Sequence, residues 1–290
     1  VIAKREHPDL LLSLFPGAGL LDRAFAAAGF VIVKGPDKLW DCDIRDYVGI
    51  PGRFEGIIAG PPCQGFSCAN SHRKNANHPS VVNSRECLQH TLRVVNECQP
   101  TWFLIENVPA CPDVRIAGYG IQRIPISDWE CGGVQLRSRH VQYGDQNGWI
   151  IRPFRVNDQV QTRRKGRKPI AITTKPSSRH RTFAEQCRRQ GLNQPLKLPG
   201  MTREGRFRAV GNGVPLKIGL ILAEAVKFAG PSLVSDCPCG CGRTLQGKKQ
   251  KSATTSCRKR LQLNRERERA HVTMKGYFPE RERAGKEVCK

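Results

Sequence analysis

An α/β fold carrying a parallel sheet is what this 290-residue sequence predicts, and three observations predict it. The first is Leu10 to Phe15, a buried strand that runs into Pro16-Gly17-Ala18-Gly19 and then an alanine-rich helix, Leu20 to Ala28, closed by Gly29. Strand, glycine turn and helix open a nucleotide-binding unit. The glycines let a ligand approach the backbone, and the helix N-terminus faces that ligand. The second is Ile57-Ile58-Ala59, the end of another buried strand, which meets Gly60-Pro61-Pro62-Cys63-Gln64-Gly65-Phe66-Ser67. Two prolines stiffen that loop and Gly65 frees it, so it can hold Cys63 at the open end of a sheet. The third is Thr101 to Ile105, a buried strand that delivers Glu106-Asn107-Val108-Pro109 to the same carboxyl edge. Open α/β sheets place their ligands at that edge.

The other elements follow in chain order. Phe30 to Val33 reads as the second strand and ends at Gly35-Pro36-Asp37, with Asp43-Ile44 a few residues on. Asp37 is placed to accept hydrogen bonds from ribose hydroxyls, and Asp43 could reach an adenine amine; either could equally be a solvated loop carboxylate. A helix is predicted from Ser84 to Cys98, with Leu88, Leu92 and Val95 at helical spacing. Short strands are expected between Ile116 and Gly144. The alternation from Val134 to His140 would put Gln135, Arg137 and Arg139 on one strand face, either solvated or as a fork of donors aimed into a cleft. Residues 150–180 read as a basic loop or small β insertion. A helix resumes over Thr182 to Gly191. Gly211-Asn212-Gly213-Val214-Pro215 then precedes an apolar helix, Leu216 to Phe228, and Gly230-Pro231 marks a boundary.

Beyond that boundary lies a tail with Cys237, Cys239 and Cys241 among glycines and Cys257 further on. Closely spaced cysteines on tight turns are typical of zinc knuckles, and these four could complete one ligand set. The predicted organisation is therefore residues 1–145 as the first part of a catalytic and cofactor-binding domain, 146–180 as a short basic recognition region, 181–230 as the return to the first domain, and 231–290 as a basic tail.

Charge is distributed unevenly. Residues 150–210 hold 16 Lys/Arg against 3 Asp/Glu and residues 243–290 hold 15 against 5, while the remainder balances at 17 against 17. A neutral body with two basic segments points to a polyanionic partner, most simply nucleic acid. Thirteen scattered cysteines, an odd number, favour free thiols in a reducing compartment such as the cytoplasm. No run approaches 18 consecutive apolar residues and the charged N-terminus shows no signal peptide, so neither membrane insertion nor secretion is expected.

Taken in order, Phe15-Pro16-Gly17-Ala18-Gly19, Pro61-Pro62-Cys63-Gln64-Gly65-Phe66-Ser67, Glu106-Asn107-Val108, the set Gln135, Arg137 and Arg139, and Gly211-Asn212-Gly213-Val214-Pro215 resemble the DNA (cytosine-5)-methyltransferase family, phage and prophage members most of all. The resemblance covers roughly residues 10–228. It implies a Rossmann-like methyltransferase domain that binds S-adenosyl-L-methionine and acts, as a monomer, on double-stranded DNA. It further implies that Phe15, Gly17, Ala18, Gly19 and Leu20 line the cofactor, that Asp37, Asp43 and Ile44 contact its ribose and adenine, that Pro61 flanks it, and that Asn212 and Val214 return to close it. Thr182, Glu185, Arg188 and Gln190 resemble the helix packed under the family's recognition region. Only 41 residues separate Arg139 from Arg181, a small space for target recognition.

The chemistry supports the same residues independently. Carbon 5 of cytosine becomes nucleophilic when a thiolate adds at carbon 6, which needs a soft nucleophile such as Cys63. Ring nitrogen 3 then needs a proton or hydrogen bond, which Glu106 could give if burial keeps it partly protonated. The exocyclic oxygen needs a cation, Arg139, with Arg137 and Gln135 in support. Two other readings remain: a DNA-binding module on a degenerate scaffold, and a dinucleotide oxidoreductase suggested by the first strand, turn and helix alone.

Overall fold

The computed structural model describes residues 10–157, 182–233, 236–243, 245 and 251–269. The basic stretch around 158–181 and the end of the chain from 270, where two of the sequence expectations fall, lie outside these residues. Four parallel strands come first: β1 (Leu10–Leu14), β2 (Val31–Lys34), β3 (Gly56–Ala59) and β4 (Trp102–Asn107). An antiparallel pair, β5 (Gly120–Ser127) and β6 (Ser138–Asp145), completes a six-stranded sheet of order β2-β1-β3-β4-β6-β5. The order reverses between β1 and β3, so the crevice at their carboxyl ends is the natural ligand site.

Alternation along the strands feeds two hydrophobic layers. Leu11, Ile58, Trp102 and Leu104 face one side, packed under α1 (Leu20–Ala27) and α5 (Leu216–Lys227). Leu12, Ile57, Phe103 and Ile105 face the other, packed under α2 (Pro79–Cys98). Trp102 stacks on Phe25 and Tyr143 and lies flat over Gly56, where any Cβ would enter its indole ring. The remaining helices are α3 (Phe183–Arg189), α4 (Arg203–Asn212) and α6 (Thr255–Arg269). The helical stretch Arg203–Lys227 reaches a mean hydropathy of 1.4, apolar enough by composition to cross a bilayer, yet 61% of that window is buried inside the fold as core.

Several expectations shift. Helix α2 starts five residues earlier than predicted, because Pro79 fits the first helical turn and His78 caps it by accepting from Ser80 N–H. β4 runs through Glu106 and Asn107, which pair with Val141 and His140 of β6, so the carboxylate sits on the strand rather than after it. β5 and β6 are each eight residues long, not short. Gln135 and Arg137 precede β6 and are not on a strand, although both point inward while Leu136 and Ser138 face solvent.

Candidate active site

The turn after β1 is strained and open. Phe15 has φ 57, Gly17 φ 53 and Gly19 φ 72, all left-handed. Phe15 is not a glycine, and such a conformation in a bulky residue marks a site where the surroundings over-determine the backbone. Here Phe15 N–H is held by Pro36 O at 3.1 Å and Gly17 N–H by Asp37 Oδ2 at 2.7 Å. Asp37 also accepts from Leu39 N–H at 2.8 Å. The second-strand carboxylate therefore fixes the glycine turn before any ligand arrives. Asp43 sits nearby, paired with Arg45 and with Lys38 at 3.4 Å. The backbone N–H of Arg45 is the main reason its carboxyl is held below the usual range.

The loop after β3 is locked from two sides. Asn107 donates to Pro61 O at 3.2 Å, and Gly65 N–H donates to Ser84 Oγ of α2 at 2.9 Å. A Cβ on Gly65 would meet Val81 Cα at 2.8 Å, so only glycine permits this approach of loop to helix. Phe66 and Ser67 N–H both donate to Cys63 O at 3.0 Å, which closes the turn around the cysteine. Cys63 is half-buried with its side chain in the cavity.

That cavity has a volume of about 420 Å³. It is walled by Phe15, Gly17, Ala18 and Leu20 after β1, by Asp37, Asp43 and Ile44, by Pro61 and Cys63, by Glu106, by Arg139, and by Asn212 and Val214 from the far end of the described domain. Gly19 does not line it; this glycine is the N-cap of α1.

Arg139 Nε lies 2.8 Å from Glu106 Oε1, and both side chains are nearly buried. The approach is off-axis for a hydrogen bond, so Oε1 has no aligned donor among the described residues. Burial pushes the Cys63 thiol above its ordinary value, and Glu106 pushes it further; Arg139 and Arg137 pull it back. Arg137 is buried one step behind the cavity wall. Burial, then the neighbouring Arg139, lower it to about 10, and its Nη2 donates to Gly213 O at 3.3 Å.

Gln135 stands apart from the cavity. Its amide donates to Arg189 O at 2.7 Å and to Gln190 Oε1 at 3.2 Å, and Gln190 in turn donates to Val210 O and Gly213 O. The Gln135–Gln190 pair thus ties the segment before β6 to the end of α3 and to the Gly211-Asn212-Gly213 turn. Thr182 caps α3 by accepting from Glu185 N–H at 3.2 Å.

One residue escaped the sequence reading. Asp22, in the first turn of α1, is buried at the cavity wall. Burial raises its carboxyl, against the opposing hydrogen bond from Ser13 Oγ to Oδ1 at 2.5 Å, and Oδ2 has no donor among the described residues. The signal was an acidic residue at the helix N-terminus directly after the glycine turn.

In the tail, Cys237, Cys239, Cys241 and Cys257 come together, all buried, with sulfurs mutually within 4.8 Å.

Known proteins resemble parts of this chain. Residues 34–115 match the family described as C-5 cytosine-specific DNA methylase. The chain is 36% identical over 115 residues to the type II methyltransferase M.FnuDI of Fusobacterium nucleatum, covering 34% of this chain and 32% of that protein. It is 27% identical over 170 residues to M.HgiDI of Herpetosiphon aurantiacus, covering 48% of this chain and 53% of that protein. The chain thus spans about a third to a half of the length of these curated relatives. Among solved structures, the Entamoeba histolytica methyltransferase EhMeth superposes with a TM-score of 0.55 at 15% identity, over 76% of this chain and 98% of that one. S. pombe Dnmt2 superposes with a TM-score of 0.53 at 13% identity, over 75% and 98%. These two likenesses show a shared fold.

Proposed function

We propose that this chain, whose residues 34–115 match the C-5 cytosine-specific DNA methylase family, is a member of it and transfers a methyl group from S-adenosyl-L-methionine to carbon 5 of a flipped-out cytosine in duplex DNA. The observation that carries this reading is the single cavity shared by Cys63, Glu106, Arg139 and the glycine turn after β1. The cofactor fits the residues present. The cavity falls in the roughly 300–1,000 Å³ range of small-molecule sites. The Asp22 oxygen without a donor suits a ligand that carries positive charge. Phe15, Gly17, Ala18, Leu20, Pro61, Asn212 and Val214 would enclose the cofactor, with Asp37, Asp43 and Ile44 at its ribose and adenine and Gly19 setting the turn. When bound there, S-adenosylmethionine supplies an electrophilic methyl group on a sulfonium centre.

This chain's side chains do the rest. The Cys63 sulfur adds to carbon 6, and the ring electrons move toward carbon 5. Glu106 holds the proton or hydrogen bond at nitrogen 3, and Arg139 stabilises charge on the exocyclic oxygen. A base that engages Glu106 also offsets the carboxylate that raises the Cys63 thiol. Burial still holds the thiol up, and Arg139 and Arg137 then oppose it without the counterweight of Glu106. Loss of the carbon 5 proton and departure of the sulfur then restore the aromatic ring. The target must leave the stack to reach this cavity. The basic segments supply phosphate contacts that steady the duplex in a salt-dependent way.

The test is a duplex containing 5-fluorocytosine, incubated with the full chain and cofactor. We expect a denaturation-resistant protein–DNA complex with the native chain and none with Cys63→Ser. No complex and no methyl incorporation from the native chain at saturating cofactor would overturn the proposal.

A further inference from the structure

We infer that Cys237, Cys239, Cys241 and Cys257 bind one zinc ion as a tetrathiolate, and that this ion fastens the C-terminal unit to the β5 edge beside the start of the basic segment. The sulfur geometry comes first. Zinc–sulfur bonds of about 2.3 Å place tetrahedral sulfurs about 3.8 Å apart. Cys237 and Cys239 sulfurs are 3.4 Å apart, Cys241 and Cys257 sulfurs 3.6 Å, and all four lie within 4.8 Å of one another. Two disulfides would need sulfurs about 2 Å apart in separate pairs. Here each sulfur faces the other three.

The chain is shaped to bring this about. Gly240 and Gly242 take φ 73 and φ 71, left-handed turns that fold three thiols spaced two residues apart around one point. Cys237 N–H closes the loop on Arg243 O at 2.8 Å. The fourth thiol comes from the first turn of α6. Donors surround the sulfurs: Ala253 N–H to Cys237 at 3.4 Å, Thr254 Oγ1 to Cys257 at 3.1 Å, and Arg260 Nη1 to Cys239 at 3.6 Å. Such outer donors suit thiolates bound to a cation. Among the described residues, the apolar material around the cluster is Leu245, Ala253 and Leu261. A core this small needs a staple, and four soft donors in a tetrahedral set select zinc over hard cations.

The consequence lies in what the unit touches. Gln122 of β5 donates to Gly240 O at 2.9 Å, and Arg155 donates to Cys241 O at 2.9 Å. Arg243 pairs with Glu130 at 2.5 Å, and Arg152 with Asp236 at 2.6 Å. Arg152 and Arg155 lie on the strand of chain that enters the basic segment. The ion therefore holds the base of that segment and orients α6, whose first turns carry Arg258, Lys259 and Arg260.

Elemental analysis of the full chain, purified under reducing and chelator-free conditions, tests the site. We expect one zinc per chain, release of that zinc on titration with an organomercurial, loss in Cys239→Ser and in Cys257→Ser, and retention in Cys68→Ser, whose thiol is exposed and not one of the four. A native chain without metal or with iron, or zinc retained in both ligand variants, overturns it. Hydrogen exchange tests the fastening on the same native chain. Zinc depletion should speed exchange across 120–127 and 150–155 and leave β1 and β3 unchanged; equal exchange with and without zinc overturns that part.

Discussion

At the glycine end of the cavity most of the wall comes from one stretch of chain, Phe15 to Ile44, which Pro61, Asn212 and Val214 join from further along. At the Cys63 end the wall is three ionisable side chains brought from the loop after β3, from β4 and from β6, and the carboxylate and the guanidinium push the thiol in opposite directions. The first end is rigid before any ligand binds, since Asp37 already occupies the N–H groups of Gly17 and Leu39. The second is poised. Its thiol is raised by burial and by Glu106, and its carboxylate contacts Arg139 without an aligned hydrogen bond. Binding geometry is built largely from one local stretch, whereas reactivity depends on groups that meet only when the sheet is complete.

The sharpest way to break this comparison is to remove the nucleophile alone. Cys63→Ser should lower methyl transfer by at least about 10³-fold, since it deletes the covalent step outright. Cofactor affinity, measured by calorimetry, should stay within about twofold, because the glycine end is held by other partners. A parallel loss of affinity would mean that the two ends are not separate.

The same division explains what could be read from sequence. The glycine turn, Cys63 and Glu106 announce themselves because Gly, Pro and apolar runs are local signals. Ten of the eleven expected cofactor contacts line the cavity, while Gly19 sets the turn as the N-cap of α1. Gln135 was harder. The alternation from Val134 to His140 does orient it inward, but its partner, the end of α3, is more than fifty residues away, and no period in the sequence reveals that. Asp22 was overlooked because an acid in a first helical turn is ordinary on its own; it gains meaning from burial beside Ser13.

Next in size are the two groups that tune the thiol in opposite directions. Glu106→Gln and Arg139→Ala should each cost about 10²–10⁴-fold in methyl transfer. Their effects on Cys63 alkylation by iodoacetamide, without DNA, should diverge. The native thiol, raised above its ordinary value, should react faster as pH rises, with no plateau below about pH 8.5. Glu106→Gln removes a raising influence and should shift that profile to lower pH. Arg139→Ala removes a lowering one and should shift it higher. Shifts in the same direction would show that the pair acts on Cys63 through packing rather than charge.

A smaller effect is expected at the glycine end. Asp37→Ala should weaken cofactor binding by about 10- to 100-fold, the worth of hydrogen bonds to a charged group. The rate at saturating cofactor should change far less, because the Cys63 end is intact. A fall in that rate with unchanged affinity would assign Asp37 to chemistry instead.

The smallest effect separates two roles for Gln135. It is fully buried and donates to Arg189 O and Gln190 Oε1, so Gln135→Ala leaves two acceptors without their donor. The expected loss of stability is about 1–3 kcal/mol, read from denaturant midpoints. Methyl transfer should fall only modestly, since Gln190 still donates to Val210 O at 2.6 Å and to Gly213 O at 3.1 Å. Were Gln135 instead to touch the substrate, stability would hold and the rate would collapse. The positioning reading predicts the reverse, because what Gln135 steadies is the turn that carries Asn212 and Val214 to the cofactor wall.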